Sequence, residues 1–393
     1  MTSRQISIGL LWHSDRSGNL GVGALTVGNI ALARAVAAEL GLTPRFVILG
    51  FGDSGTPYID DADVSFVALG AKSIPSFIAQ VGRLDCVLDI GAGDSFTDMY
   101  PIKRFAWIVL SKVATIARGV PLVFSPQTIG PFGGGSAVKR ALGAVAGWTM
   151  CRARAVVVRD DRSLDAVRAL APTVTSVYSV DVAFALPWTP AVAAPAERPR
   201  IGINVSGLLW RGGYTGRGEF NLGYDYKELM TRMIETLLAA DDCTVELITH
   251  VNGYASSPDN DGSVADELAA RYPALVRVPD FTSPSAAKSH ISGLDALVAA
   301  RMHASIAAFS SGVPVVPVSY SRKFEGLFGS LGYTRVVPFT GMATDDALAF
   351  ILAALADRTT VKTEVAKGLT RVAARLDAYR EVLRALFSAR PRA

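Results

Sequence analysis

Short apolar runs rich in β-branched residues alternate along the chain with longer stretches in which apolar positions recur every three or four residues. In the first half the short runs are "ISIGLLW", "RFVILGF", "CVLDIG", "PLVFSPQ", "AVVVR" and "SVYSVDVAF". Helical patterns lie between several of them, over residues 24–40, 74–83, 103–118, 136–152 and 163–170. Strands that are apolar throughout, rather than at alternate positions, are buried on both faces. They need a parallel sheet with crossover helices on each side. The pattern stops at the proline-rich "LPWTPAVAAPAERPR" and then restarts. The second series has strands "RIGINVS", "TVELITHV", "LVRVPDF", "ALVAA" and "PVVPVSY", with helices over 226–240, 263–272, 302–310, 345–356 and 361–386.

This organisation predicts an α/β chain of two doubly wound, Rossmann-like domains facing a cleft, an architecture of glycosyltransferase-B type. Residues 1–185 would form the first domain, 186–200 the linker and 201–393 the second domain. Ligands of doubly wound sheets sit outside the carboxyl ends of the strands, so those ends are where chemistry is sought.

Composition narrows the picture. Half of the 393 residues are hydrophobic, enough for two cores, and the 19% charged fraction argues against long disordered stretches. Lys and Arg number 39 against 35 Asp and Glu, a net charge of +4. No run of Lys or Arg marks a nucleic-acid face, although the small excess suits an anionic substrate or an anionic membrane surface. Cys86, Cys151 and Cys243 are dispersed and odd in number, so they are read as core thiols in a reducing compartment. The apolar stretch around Phe105 is broken by Lys112, Arg118 and Pro121, and the start of the chain lacks a signal-peptide pattern. The expected location is the cytoplasm, with peripheral contact at the inner face of a membrane left open.

Candidate chemistry falls at the predicted strand ends. "HSDRSGNLGVGALTVGN" follows the first strand and is a Gly-rich turn before a helix, with Asn19 among its polar groups. In "DIGAGDSFTD", Asp94 and Ser95 can hydrogen-bond sugar hydroxyls, and Asp94 or Asp98 can act as a base toward one. Gln127 ends the strand of "SPQTIGP" with both a donor and an acceptor. In "VVVRDDRS", Asp160 or Asp161 fits an N-cap and Arg159 a partner for an acid. His13 and His250 each end a strand, and His290 reads as an ordinary helix residue. The segment "ALVAARMHASIAAFSSGVPVVPVSYSRKFEGLFGSLG" carries most weight. It places Arg301 and His303 at one strand–helix junction, with Arg322 and Lys323 after the next strand, a set suited to a small polyanion. Arg211 in "SGLLWRGG" is a further candidate anion ligand.

These segments resemble the polysaccharide pyruvyl transferase family, in order and spacing across nearly the whole chain. The resemblance implies transfer of the enolpyruvyl group of phosphoenolpyruvate to a sugar as a cyclic ketal, with no metal or organic cofactor. It implies an acceptor, a sugar or lipid-linked oligosaccharide, on the first domain, where Asn19, Asp94, Ser95 and Gln127 are the candidates read from the strand ends. The donor would lie on the second domain, with Arg301, His303, Lys323 and Arg211 as its ligands and with His303 and Asp94 catalytic. The chain departs from the family pattern after "GNLG", where Val22 and Gly23 stand in place of an Asp that many members carry. Two other readings share the architecture: a nucleotide-sugar-dependent glycosyltransferase, for which Glu325 would be the acid of the second domain, and a non-catalytic sugar- or anion-binding relative.

Overall fold

The structure, a computed structural model, describes residues 4–50, 52–53, 55–70, 73–191, 198–253 and 257–389. In the first half β1 (Arg4–Leu11), β2 (Leu42–Gly50), β3 (Val64–Ala68), β4 (Cys86–Asp89), β5 (Leu122–Gln127), β6 (Ala155–Val158) and β7 (Val177–Tyr178) form one sheet in the order β3-β2-β1-β4-β5-β6-β7. All its pairings are parallel. The crossovers carry α1 (Leu20–Glu39), α2 (Ile74–Val81), α3 (Ile102–Ala117), α4 (Ala137–Arg152) and α5 (Asp161–Leu170). Strand order reverses between β1 and β4, the crevice where ligands of such sheets bind.

The second sheet repeats the plan with five parallel strands in the order β10-β9-β8-β11-β12. Here β8 spans Arg200–Asn204, β9 Thr244–Leu247, β10 Val276–Arg277, β11 Ala296–Ala299 and β12 Val315–Pro317. Its helices are α6 (Gly207–Trp210), α7 (Tyr226–Ala240), α8 (Asp261–Arg271), α9 (Pro284–Ile291), α10 (Met302–Ser310), α11 (Arg322–Ser330), α12 (Thr344–Ala356) and α13 (Arg358–Ser388). The reversal falls between β8 and β11. Every residue of β4, β5 and β11 is buried, which is why those strands carry no polar alternation.

The chain divides into two compact units that are not contiguous in sequence. The first holds the chain up to Ser17, Leu25–Ala185 and everything from Ala373; the second holds Gly18–Ala24 and Leu186–Val372. Relative to a linear division, a short N-terminal segment and the end of the last helix are exchanged. Tyr379 of α13 explains the second exchange. Its hydroxyl donates to Asn29 Oδ1 (2.8 Å) and lies 2.8 Å from Ser125 Oγ, and Asn29 Nδ2 donates to the same Oγ (3.2 Å). The proline-rich segment, as far as described, lies along α9. Leu186 O accepts from Lys288 Nζ (3.0 Å), and Ser289 and Ser292 accept the N–H groups of Thr189 and Ala191.

Two expectations need correction. Strand β3 was not foreseen, because this edge strand is only half-buried and its apolar signal is weak. Of the cysteines only Cys86 is in the core, while Cys151 is exposed and Cys243 half-buried. The broken apolar stretch around Phe105 forms α3 followed by β5, and among the described residues the one helix long and apolar enough to cross a membrane is α1, largely buried as a core helix. Asp160 caps α5 through Ser163 N (2.7 Å), and Arg159 pairs with the buried Asp181, as the sequence suggested.

Replacing Tyr379 with Phe removes a hydroxyl that serves two buried partners and strands Asn29. We expect a loss of ~1–3 kcal/mol in urea unfolding. An unchanged midpoint would show that the network contributes nothing.

Candidate active site

At the reversal point of the second sheet, β8 ends in Asn204, and β11 continues through Ala300 to Arg301. Asn204 ties the neighbouring strands together: Oδ1 accepts from Arg301 N (3.0 Å), and Nδ2 donates to Ile248 O (2.9 Å). Asp261, the first residue of α8, is 1% exposed. Its Oδ1 accepts from Gly207 N (2.9 Å), and its Oδ2 accepts from His250 N and Val251 N (both 3.1 Å) and from Asn204 Nδ2 (3.3 Å). Arg301 Nη2 then meets Asp261 Oδ1 at 2.7 Å, Asp259 Oδ1 at 2.7 Å and Asp259 O at 2.8 Å. Burial alone would depress the guanidinium's pKa, but the charges of Asp261 and Asp259 outweigh it and hold the group above its ordinary value.

His250 follows β9 and is buried. Its pKa falls to about 3, chiefly through burial and secondarily through the positive charges of His303 and Arg301, so its ring is neutral. His303 is the second residue of α10, a helix whose N-cap position is Arg301 and whose first N–H groups receive no side-chain cap. The next strand, β12, leads to α11, which is likewise uncapped by Ser321. Two adjacent strand ends therefore open into two helix N-termini, each a partial positive charge whose cap residue makes no side-chain hydrogen bond to it. Lys323 is half-buried in the first turn of α11, beside Tyr320, whose ring packs between Phe220 and Phe324 at centroid distances of 5.2 and 5.4 Å.

The Gly-rich segment 18–24 completes this face. Asn19 caps α1 by accepting from Gly21 N (3.0 Å) and forms an antiparallel bridge with Val251. Leu20 N donates to His250 O (3.1 Å), and Asn252 N donates to Gly18 O (2.8 Å). Gly21 does not have a left-handed φ; its lack of a side chain serves His303 instead. A Cβ at this position would stand 2.8 Å from His303 Cγ, closer than real Cβ atoms come. Both polar atoms of the neighbouring Asn252 side chain are buried without a hydrogen-bond partner among the described residues.

The family model described as polysaccharide pyruvyl transferase matches residues 28–322, most of the chain. The chain belongs to this family. No curated protein matches it in sequence. Among solved structures it is similar to the UDP-GlcNAc 2-epimerase of Neisseria meningitidis bound to UDP-GlcNAc, at 10% identity and TM-score 0.56, covering 96% of this chain and 99% of that one. It is also similar to the α,α-trehalose 6-phosphate synthase of Burkholderia multivorans, at 12% identity and TM-score 0.53, with both chains fully covered. These likenesses carry the fold: a glycosyltransferase-B type α/β chain.

Within this pyruvyl transferase family member, the structure gathers Arg301, His303 and Asn19 on one face of the second unit and puts Lys323 at the adjoining strand end. It does not bring Arg211 there. That side chain is 43% exposed and turns to Ser263 (3.4 Å) and Glu267 (3.8 Å) of α8. Arg301 also differs from expectation. Its guanidinium is held by two carboxylates, and one cation against two anions leaves the trio with net charge −1, so it braces the site rather than offering free charge to an anion. In the first unit, Ser95 is buried and accepts from Arg104 Nη2 (2.5 Å). Asp94 is half-buried and accepts from Tyr100 OH (3.1 Å). Asp98 is spent on the loop, accepting from Gly133 N (2.7 Å) and Gly134 N (2.9 Å). Gln127 is fully buried, and its Nε2 donates to Asp89 O and Oδ2 (2.9 and 2.8 Å), which removes it from the acceptor set. His13 is a buried structural group between Leu11 O and Asn29, with its pKa lowered to about 3 by burial. His290 is not idle: its Nε2 lies 2.8 Å from Glu246.

Sequence reading missed Asp259, Asp261, Asn204 and Asn252. The signal available was "SPDNDG", an acidic Asn-containing turn directly before a helix.

Three outcomes follow from this geometry. Arg301→Ala should cost ~3–5 kcal/mol of stability by leaving buried Asp261 without its cation, and a wild-type melting temperature would refute that. Gly21→Ala adds a good helix former without backbone strain, so the fold should hold while the His303 imidazole resonances shift; unmoved resonances would show the ring has room. Finally, His13 and His250 are neutral when folded and ordinary near 6.5 when unfolded. The unfolded chain therefore binds more protons between pH 6.5 and about 3, and stability should fall as pH drops through that window. His13→Gln should make the acid limb shallower in pH-dependent unfolding, and an identical slope would remove His13 from the account.

Proposed function

We propose that this enzyme transfers the enolpyruvyl group of phosphoenolpyruvate to two hydroxyls of a sugar, forming a pyruvate ketal and releasing phosphate. The observation that carries the reading is the placement of His303 in a family member. It stands on an uncapped helix N-terminus, beside a second uncapped N-terminus bearing Lys323, at the reversal point of the sheet. Helix N-termini suit the phosphate and carboxylate of this donor. Lys323 adds a point charge, and Asn252 offers a donor and an acceptor. Arg301 contributes indirectly in this reading, by fixing the backbone from which His303 projects.

The chemistry is a proton transfer followed by two additions. His303 gives a proton to the methylene carbon of the donor, and positive charge develops at C2. One sugar hydroxyl adds there and loses its proton to a base. Phosphate leaves with the electrons of the C–O bond. The second hydroxyl closes the ring and releases the last proton. A positioned acid of this kind contributes about 10²–10⁴-fold.

His303→Gln keeps a hydrogen-bonding group but removes the acid. Phosphoenolpyruvate affinity by calorimetry should stay within about tenfold of wild type, while turnover falls ~10²-fold or more. Wild-type turnover would exclude the role. A thermal-shift comparison separates this reading from a nucleotide-sugar transferase. Phosphoenolpyruvate at about 100 times its Kd should stabilise the protein by ~2.7 kcal/mol, and a response to UDP-sugars alone would favour the other reading.

A further inference from the structure

Nine large hydrophobic side chains are exposed among the described residues, and seven of them lie on or beside α2, α3 and α4 of the first unit. Helix α3 packs between α2 and α4. These helices follow rightward crossovers in the sheet order, and right-handed connections place them on one face. Phe105, Ile108 and Val109 of α3 and Ala146 and Met150 of α4 point into the core. On their outer sides Ile102, Leu110, Val138 and Trp148 are between 41% and 54% exposed, and Met99 beside them is 72% exposed. Among the described residues, nothing within the unit covers this surface.

The charge on the same face is one-sided. From Met99 to Arg159 the chain has nine Lys and Arg and no Asp or Glu, in a protein where the two kinds are nearly balanced overall. Lys112 and Arg159 are buried, but Lys103, Arg104, Arg118, Arg140, Arg152 and Arg154 are exposed. Arg152 also stacks on Trp148, with its guanidinium carbon 5.7 Å from the ring. The basic residues form no run in sequence, and only the packing of α3 against α4 collects them.

We propose that the outer face of α2, α3 and α4 is a docking surface for an anionic lipid bilayer. Apolar side chains and a tryptophan would enter the headgroup boundary, and the surrounding cations would meet lipid phosphates, as interfacial helices do. A second copy of the chain fits the face less well. A two-fold contact would lay one acid-free basic surface against another. The inference is independent of the reaction assigned above.

The test is co-sedimentation of the full chain with vesicles of phosphatidylcholine alone or of equal parts phosphatidylcholine and phosphatidylglycerol. Binding to the anionic vesicles should be at least ~10-fold stronger and should weaken as salt rises. Leu110→Glu with Trp148→Glu should lose that binding ~10-fold or more with unchanged melting temperature. Lys103→Glu with Arg140→Glu, which leaves the apolar residues intact, should lose the preference for phosphatidylglycerol. Equal sedimentation with both vesicle types, or binding that survives both double variants, would overturn the proposal. So would a dimer in light scattering that Leu110→Glu dissolves, since the face would then belong to a protein partner.

Discussion

The carboxylate of Asp261 is the constraint on which the strand-end face of the second unit depends. It sits at the first residue of a helix, where the positive helix end favours an anion. From there it accepts from the backbone after β8, the backbone after β9, the Asn204 amide and the Arg301 guanidinium. Three strand ends and one helix start are referred to a single buried point. A neutral side chain could not satisfy so many donors at once, and an exposed one could not exclude water from them. His303 is two residues beyond Arg301, so its position is inherited from this anchorage.

The first unit meets the same problem at its own reversal point with the same device. Asp89 ends β4 next to β1, fully buried, and Lys112 Nζ pairs with it at 2.9 Å while Gln127 donates to it. Burial lowers the pKa of Lys112, and the charge of Asp89 opposes that shift. The rings of Phe96 and Phe124 lie 4.9 and 5.6 Å from the ammonium. The two buried ion pairs are alike in place and kind and differ in what they hold up. One supports a turn that carries Asp94 and Ser95, and the other supports a histidine.

The alternation of apolar strands with helices was legible because fully buried parallel strands leave no polar positions, as in β4 and β11. The junction at Arg301 and His303 was legible because a strand running directly into a helix has a sequence signature. What could not be read was which polar residue at a strand end would point outward. Gln127 ends β5, and Asp94 lies in the turn after β4 of the same sheet. Only the third dimension shows that Gln127 turns back onto Asp89 while Asp94 stays half-exposed. Arg301 was misjudged for a related reason: its partners Asp259 and Asp261 are some forty residues away in sequence, and an arginine looks equally available whether or not it is already paired. Edge strand β3 and the glycine-bearing α11 were obscured by weak local signals.

The exchange of chain segments between the units bears on the order in which the protein can mature. The first unit begins at the N-terminal side, yet the hydroxyl that joins Asn29 to Ser125 belongs to Tyr379. Closing that loop spans 350 residues, and it cannot happen on the ribosome until Tyr379 has been synthesised and exposed. The second unit, by contrast, has its sheet complete by β12 and needs only a short loop from upstream. During translation the half of the molecule that starts first is finished last. Until then its sheet face beneath α13 stands open, a vulnerable interval in which chaperones or proteases would find it.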